Sequence, residues 1–175
     1  AEDDIEVFEQ EHLTHTATVI MIDISHSMIL YGEDRITPAK TVAMALSELI
    51  MKDYPKDSLD VVLFYDDAKQ IQVKDIPYVQ VGPFHTNTCE GLRMAREILR
   101  KKKMANKQIF MITDGKPTVV YHKGRIYRNT WGMDPLIINR TLDEAVLCKR
   151  QEVIISTFMI AQEPNLIEFV EQLTQ

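Results

Sequence analysis

Two aspartates, two serines and a threonine have the residue types and spacing to do chemistry. Asp23, Ser25 and Ser27 occupy alternate positions in Asp23-Ile24-Ser25-His26-Ser27, Thr86 lies in His85-Thr86-Asn87-Thr88, and Asp114 precedes Gly115. Carboxylate, hydroxyl and water oxygens are hard ligands that suit Mg²⁺ or Mn²⁺. Mg²⁺ takes about six oxygens and commonly keeps waters among them. Only two of the five side chains carry negative charge, so a cation held by them stays electrophilic and can accept one more acidic ligand from outside. Taken singly, each residue has an ordinary role: serines cap turns, and Asp-Gly is a common turn pair. The chemistry therefore depends on whether the fold brings them together.

The apolar pattern alternates between two kinds of segment. Residues 17–24, 59–65, 107–113 and 153–160 are short, mostly apolar and rich in Val, Ile and Phe, as expected of strands covered on both faces. Helical patterns lie between them. Thr37 with Pro38 is expected to cap one helix, with Val42, Leu46, Leu49 and Ile50 along its inner face. Leu92, Ala95, Ile98 and Leu99 define a second, which closes on the basic run 100–103, where positive charge suits a helix C-terminus. Asn139 is expected to open a third with Leu142, Ala145 and Val146 inward, and Asn165 a fourth with Leu166, Phe169, Val170 and Leu173. Asp66-Asp67, before the period-two pair Ile71 and Val73, predicts a tight hairpin. The longest irregular stretch, 115–139, is long enough to carry function. Trp131 within it is expected to pack under the loop.

These elements predict an α/β fold: a doubly wound, mostly parallel, Rossmann-like sheet with one short antiparallel edge strand and helices on both faces. In such sheets ligands bind beyond the carboxyl ends of the strands, where the winding reverses. Asp23 ends the first strand and Asp114 follows the strand 107–113. If those strands are neighbours, both carboxylates face one crevice, and the loop 85–88 reaches the same edge.

The same residues carry a family resemblance. Asp23-x-Ser25-x-Ser27 resembles the DxSxS element of the metal-ion-dependent adhesion site (MIDAS) of von Willebrand factor A (vWA) domains. Thr86 with Asn87-Thr88-Cys89-Glu90-Gly91-Leu92 resembles the family's threonine loop, and Ile112-Thr113-Asp114-Gly115 its strand ending in TDG. The resemblance implies that Ser25, Ser27 and Thr86 are direct oxygen ligands, and that Asp23 and Asp114 ligate directly or through water. Residues 31–40 are similar to bacterial intracellular members that accompany MoxR-type AAA+ ATPases. Two departures stand out: His26 where glycine is usual, and Phe84-His85 where a glycine pair often precedes the threonine. The resemblance also implies a last strand after the fourth helix, which is expected to be lacking. The expected layout is an acidic extension over 1–16 and a vWA domain over 17–175.

The function implied is a protein-binding module, not an enzyme, that takes an acidic side chain of a partner through a MIDAS cation, Mg²⁺ or Mn²⁺ ahead of Ca²⁺. An adaptor role beside a MoxR-type ATPase follows from the resemblance of residues 31–40. The competing reading is a Mg²⁺-dependent phosphohydrolase. Against it, Asp23-Ile24-Ser25 lacks the second carboxylate of haloacid-dehalogenase-type phosphatases. Nucleotide binding is disfavoured because neither GxGxxG nor GxxxxGK[ST] occurs. A net charge of −6 argues against general nucleic-acid binding, although 116–128 holds Lys116, Lys123, Arg125 and Arg128 with no acidic residue, a rim that could steer an acidic partner. No apolar run approaches the roughly 20 residues that span a bilayer. A cytoplasmic location is expected. The only cysteines, Cys89 and Cys148, match no CxxC or Cys/His pattern and are expected to be free thiols in or near helices.

Overall fold

The computed structural model describes residues 15–160, 171 and 172. In chain order the elements are β1 (Thr16–Asp23), α1 (Ile36–Asp53), β2 (Ser58–Phe64), β3 (Ala68–Ile71), α2 (Thr88–Arg100), β4 (Asn106–Thr113), β5 (Val119–His122), β6 (Arg125–Arg128), α3 (Pro135–Arg150) and β7 (Val153–Met159). Short 3₁₀ turns occupy His26–Gly32 and Val73–Tyr78. The main sheet has five strands in the order β3-β2-β1-β4-β7. All its pairs are parallel except β2 with β3, where Phe64 faces Ala68 across the hairpin.

β2, β1 and β4 occupy the middle of the sheet because each of their faces needs cover. β7, expected to be covered on both faces as well, is instead an edge strand among the described residues, with Ile154 67% exposed. Val19 and Met21 of β1 join Phe64, Leu92, Ala95, Leu99, Ala145 and Cys148 in the core beneath α2 and α3. Ile20 and Ile22, one residue out of phase, join Val61, Leu63, Met28, Ala39, Ala43 and Ile76 beneath α1. A run without polar alternation is what such a strand requires, since each fully buried Ile or Leu contributes about 2 kcal/mol of transfer free energy. Gly91 lets α2 approach this sheet closely. A Cβ there would stand 2.7 Å from Met21 Cε and 2.9 Å from Phe64 Cβ.

Several local expectations are corrected. The third helix begins at Pro135 rather than Asn139, because Asp134 caps it by accepting the Leu136 and Ile137 amides and Pro135 sits at its start. Its buried positions are Ile137, Thr141, Glu144, Ala145 and Cys148, which turns Val146 outward. The first helix begins at Ile36, where the Asp34 carboxylate takes the Thr37 amide and hydroxyl, so Asp34 is the acceptor that Thr37 was expected to be. Its buried residues are Ala39, Ala43, Ser47 and Ile50, and Leu49 is exposed. Val73 belongs to a 3₁₀ turn rather than to the edge strand. The long loop carries an antiparallel hairpin, β5–β6, from which Trp131 stands out at 86% exposure instead of packing beneath it.

Both cysteines are free thiols, and burial pushes each up to about 12. Among the described residues no helix is long and apolar enough to cross a membrane. Residues 1–14 of the acidic extension, the place of the last strand and Asn165, Leu166, Phe169, Val170 and Leu173 of the expected fourth helix lie outside the described residues. Residues 171 and 172, within that expected helix, are helical.

Candidate metal centre

The winding reverses between β1 and β4. These strands run side by side in parallel, with Ile22 paired to Ile112, so Asp23 and Asp114 emerge together at the carboxyl edge. Asp23 is fully buried. Its Oδ1 accepts the Ser25 amide at 2.8 Å and its Oδ2 accepts the Thr113 hydroxyl at 2.7 Å. This Asx-type bond turns the chain away from β1 and presents the next two alternate side chains, Ser25 and Ser27, toward the same edge. Their hydroxyl oxygens lie 3.0 Å apart, and Ser27 Oγ donates to Asp114 Oδ1 at 2.9 Å. The other Asp114 oxygen accepts Arg35 Nη1 at 2.9 Å.

Thr86 is carried by a loop held from two sides. The Thr86 amide donates to Thr118 Oγ1, and its carbonyl accepts the Thr118 and Val119 amides at the base of the β5–β6 hairpin. The adjoining Asn87 donates its own amide to the Tyr65 carbonyl and its side-chain NH₂ to the Asp66 carbonyl. Asn87 Oδ1 caps α2 by accepting the Glu90 amide. Thr86 therefore sits between the end of β2 and the hairpin, on a backbone with little freedom.

The two departures from the family pattern meet here. The His26 amide donates to the Phe84 carbonyl at 3.0 Å, and the Phe84 ring packs on Tyr65 with centroids 4.9 Å apart. The ring also covers Gly82, where a Cβ would come within 2.2 Å of it. Glycine is thus needed two residues before Phe84 rather than beside the threonine. The His26 ring is exposed at the rim. His85 pairs with Asp66, its Nδ1 lying 3.0 Å from Oδ1.

Ser25, Ser27, Thr86, Asp114, Arg35 and Lys116 line one open cleft of about 670 Å³. Asp23 lies underneath and touches it only through the groups it holds. All five residues singled out from the sequence thus stand at one edge of the sheet, four on the cleft wall and one below. Three participants escaped the sequence reading: Thr113 and Thr118, which orient Asp23 and Thr86, and Arg35. Thr113 is signalled by its place beside Asp114. Arg35 has no local signal, because its partner is 79 residues away.

The donor set fits a hard cation. Burial, and then the nearby Asp114, push the Asp23 carboxyl up to about 6. The donors that reach Asp23 are neutral, so its ionised form is disfavoured relative to a solvated carboxylate, and a positive charge nearby would favour it. Only oxygens face the cleft from the five residues. Among the described residues no three His, Cys, Asp or Glu side chains converge, so this set of oxygen groups resembles neither a zinc site nor an acidic calcium cage.

A mixed sheet with this strand order, one antiparallel edge and a carboxylate–hydroxyl cluster at the switch point defines a vWA-type domain. The family model described as "Rv0959-like protein, vWA domain" matches residues 16–175, and the chain belongs to that family. It is 26% identical over 179 residues to protein Rv0959 of Mycobacterium tuberculosis and, equally, to Mb0984 of Mycobacterium bovis. Those matches cover 99% of this chain but 26% of each relative, so the chain spans about a quarter of their length. Among solved structures, the vWF domain of the type V pili tip protein Mfa5 from Porphyromonas gingivalis superposes with a TM-score of 0.75 at 12% identity, covering 92% of this chain and 86% of that one. The SpRpn10 VWA domain gives 0.64 at 15% identity, over 93% and 84%. At such identities the likeness is one of fold alone. The vWA fold commonly mediates protein–protein interaction.

Proposed function

We propose that this domain is a protein-binding module whose cleft holds Mg²⁺ or Mn²⁺ and through it takes an acidic side chain of a partner. The observation that carries this reading is the run of oxygens Ser25, Ser27 and Asp114, linked at 3.0 and 2.9 Å and lining one open cleft together with Thr86. Ser25, Ser27 and Thr86 would hold the ion directly through neutral hydroxyls. Asp23 and Asp114, whose oxygens are already engaged by protein donors, would orient those hydroxyls and balance charge from behind. When bound, the cation supplies a Lewis-acidic position for one carboxylate oxygen.

Specificity would come from the rim. The β5–β6 hairpin is fastened to the Thr86 backbone, with Lys116 in the cleft at its foot and Arg128 at its base, so a partner segment reading the metal would meet positive charge there. Lys123 and Arg125 stand at the far turn of the hairpin. The resemblance of residues 31–40 makes a MoxR-type AAA+ ATPase in the cytoplasm the partner of first choice. The decisive experiment titrates Mn²⁺ into the wild type and into Ser25→Ala and Thr86→Ala, then repeats co-elution with that ATPase in EDTA. Loss of Mn²⁺ binding in both variants and loss of co-elution in EDTA are expected. An unchanged Mn²⁺ isotherm in both variants rejects the site, and EDTA-insensitive co-elution rejects metal-mediated pairing.

The phosphohydrolase alternative gains no support. A nucleophilic carboxylate must reach phosphorus, yet Asp23 is buried with both oxygens engaged, and Asp114 is 3% exposed between Ser27 and Arg35. Turnover of phosphate esters with Mg²⁺ would restore that reading.

A further inference from the structure

Arg35 is the one cation bonded to the acidic residues of the cleft among the described side chains. Its backbone is fixed at the entry to α1, with its amide on the Met28 carbonyl at 2.9 Å and its carbonyl accepting the Ala39 amide. The guanidinium reaches back to the strand tips, where Nη1 donates to Asp114 Oδ2 at 2.9 Å. Nε and Nη2 both donate to the single oxygen Glu33 Oε2, at 3.0 and 2.9 Å. A guanidinium has five N–H groups, so two are left over on a side chain that lines the cleft beside Ser27. Glu33 is 65% exposed and solvated, whereas the Asp114 side chain is wholly buried. The ion pair with Asp114 is therefore the one that shapes the field in the cleft.

Charge bookkeeping then distinguishes two tasks that a vWA site combines. Asp23 and Asp114, if ionised, bring two negative charges, and Arg35 removes one. A divalent cation bound there leaves the site net positive, and a partner carboxylate brings it to neutrality. Without Arg35 the loaded site would be neutral already, and a carboxylate would make it negative. From this we propose that Arg35 sets the charge of the centre: it weakens the hold on the ion and strengthens the capture of a carboxylate, offering its free N–H groups to the carboxylate's second oxygen. This rests on the metal-binding reading above. It deepens that reading by making the acidic ligand a two-point ligand, one oxygen on the ion and one on Arg35.

The test measures Mn²⁺ affinity from the free-ion signal in electron paramagnetic resonance, and acetate affinity from the fall in water-proton relaxation of the Mn²⁺-loaded domain. Arg35→Gln is expected to bind Mn²⁺ about tenfold more tightly and acetate about tenfold more weakly, since a unit charge a few ångströms away is worth about that much in a partly solvated site. Arg35→Lys should move both values back toward the wild type. Glu33→Gln, an exposed change with little bearing on folding, leaves Arg35 less neutralised and should shift both constants about twofold in the opposite sense. If Arg35→Gln, or Glu33→Gln should the former not fold, weakens or strengthens both constants together, Arg35 only positions Asp114 and the proposal fails. A wild-type domain that binds no Mn²⁺ overturns the metal reading itself, an outcome distinct from the first.

Discussion

Ser27 Oγ donates a 2.9 Å hydrogen bond to Asp114 Oδ1, tying the turn after β1 to the tip of β4 across 87 residues of chain. The bond aligns a hydroxyl with a buried carboxylate at the place where the sheet reverses its winding. If a cation binds there, this bond is part of what prepares its site. Saturating Mg²⁺ or Mn²⁺ at about 100 times its Kd should then raise unfolding stability by about 2.7 kcal/mol. Ser27→Ala should lose most of that gain, on top of a metal-free destabilisation of about 1–3 kcal/mol from leaving the buried Asp114 Oδ1 without its donor. Thermal melts with and without metal, run on both proteins, check it; an equal metal-induced rise in Ser27→Ala would remove Ser27 from the site.

Asp23 supplies a pH dependence whose sign can be worked out. Its carboxyl is raised from 3.8 to about 6 by burial and by Asp114. A group raised on folding contributes stability that is present below its unfolded value and is lost as pH climbs through the folded one. In EDTA, Asp23 should therefore cost the wild type on the order of 3 kcal/mol between pH 4 and pH 7. Asp23→Asn should gain on the wild type over that same window. Urea midpoints of the two proteins at several pH values measure the difference, and a difference independent of pH would contradict the shift. In metal the order should invert at pH 7, because a bound cation favours the ionised form.

Gly91 tests the close packing of α2 on the sheet. Alanine is the better helix former by about 1 kcal/mol, so propensity alone favours Gly91→Ala. Against this, the added Cβ would lie 2.9 Å from Phe64 Cβ, an atom next to the backbone of a central strand that cannot swing aside. Overpacking of this kind costs about 1–3 kcal/mol, and a net loss of about 1–2 kcal/mol in urea denaturation is expected. A stabilised variant would mean that the helix stands further from β2.

Arg96 and Glu144 join α2 to α3 through an ion pair whose side chains are 12% and 10% exposed. Glu144→Ala leaves a poorly hydrated guanidinium between two helices with only the longer contact to Glu97 Oε1, at 3.4 Å, and should cost about 2–3 kcal/mol. The double change Arg96→Met with Glu144→Leu should recover most of that loss, since both charges then disappear together. Chemical denaturation of the three variants decides the matter. A double variant as unstable as the single one would show that the pair holds the helices by more than charge compensation.

How much of this was legible beforehand varies with the range of the interaction. The central strands β2, β1 and β4 were readable to within a residue because an apolar run without alternation is a local property of a strand buried on both faces. The α2 stripe was readable for the same reason. β7 was readable as a strand too, but not as the half-exposed edge that it is among the described residues, since its neighbours are chosen by the sheet order. The start of α3 was missed although Asp134-Pro135 is a local cap-and-proline signal; what lay outside local pattern is that the second Asp134 oxygen is taken by Tyr127 and Asn129 from the hairpin side. Leu49 and Val146 were misplaced because the helices rest on the sheet through small residues, Ala39, Ala43 and Ala145, and the larger side chains flank the contact.

The sequence by itself determined the chemical character of the centre: oxygen donors only, few charges, and strand ends to carry them. Such features depend on residue type and on periodicity over a few positions. Only the tertiary structure decided that Asp23 lies beneath the cleft rather than in it, that Arg35 spends its charge on Asp114, and that the hairpin clamps Thr86. Each of those depends on which distant polar group is nearest once the strands have taken their order, and hydrogen bonding selects that partner in three dimensions, with no trace in local pattern.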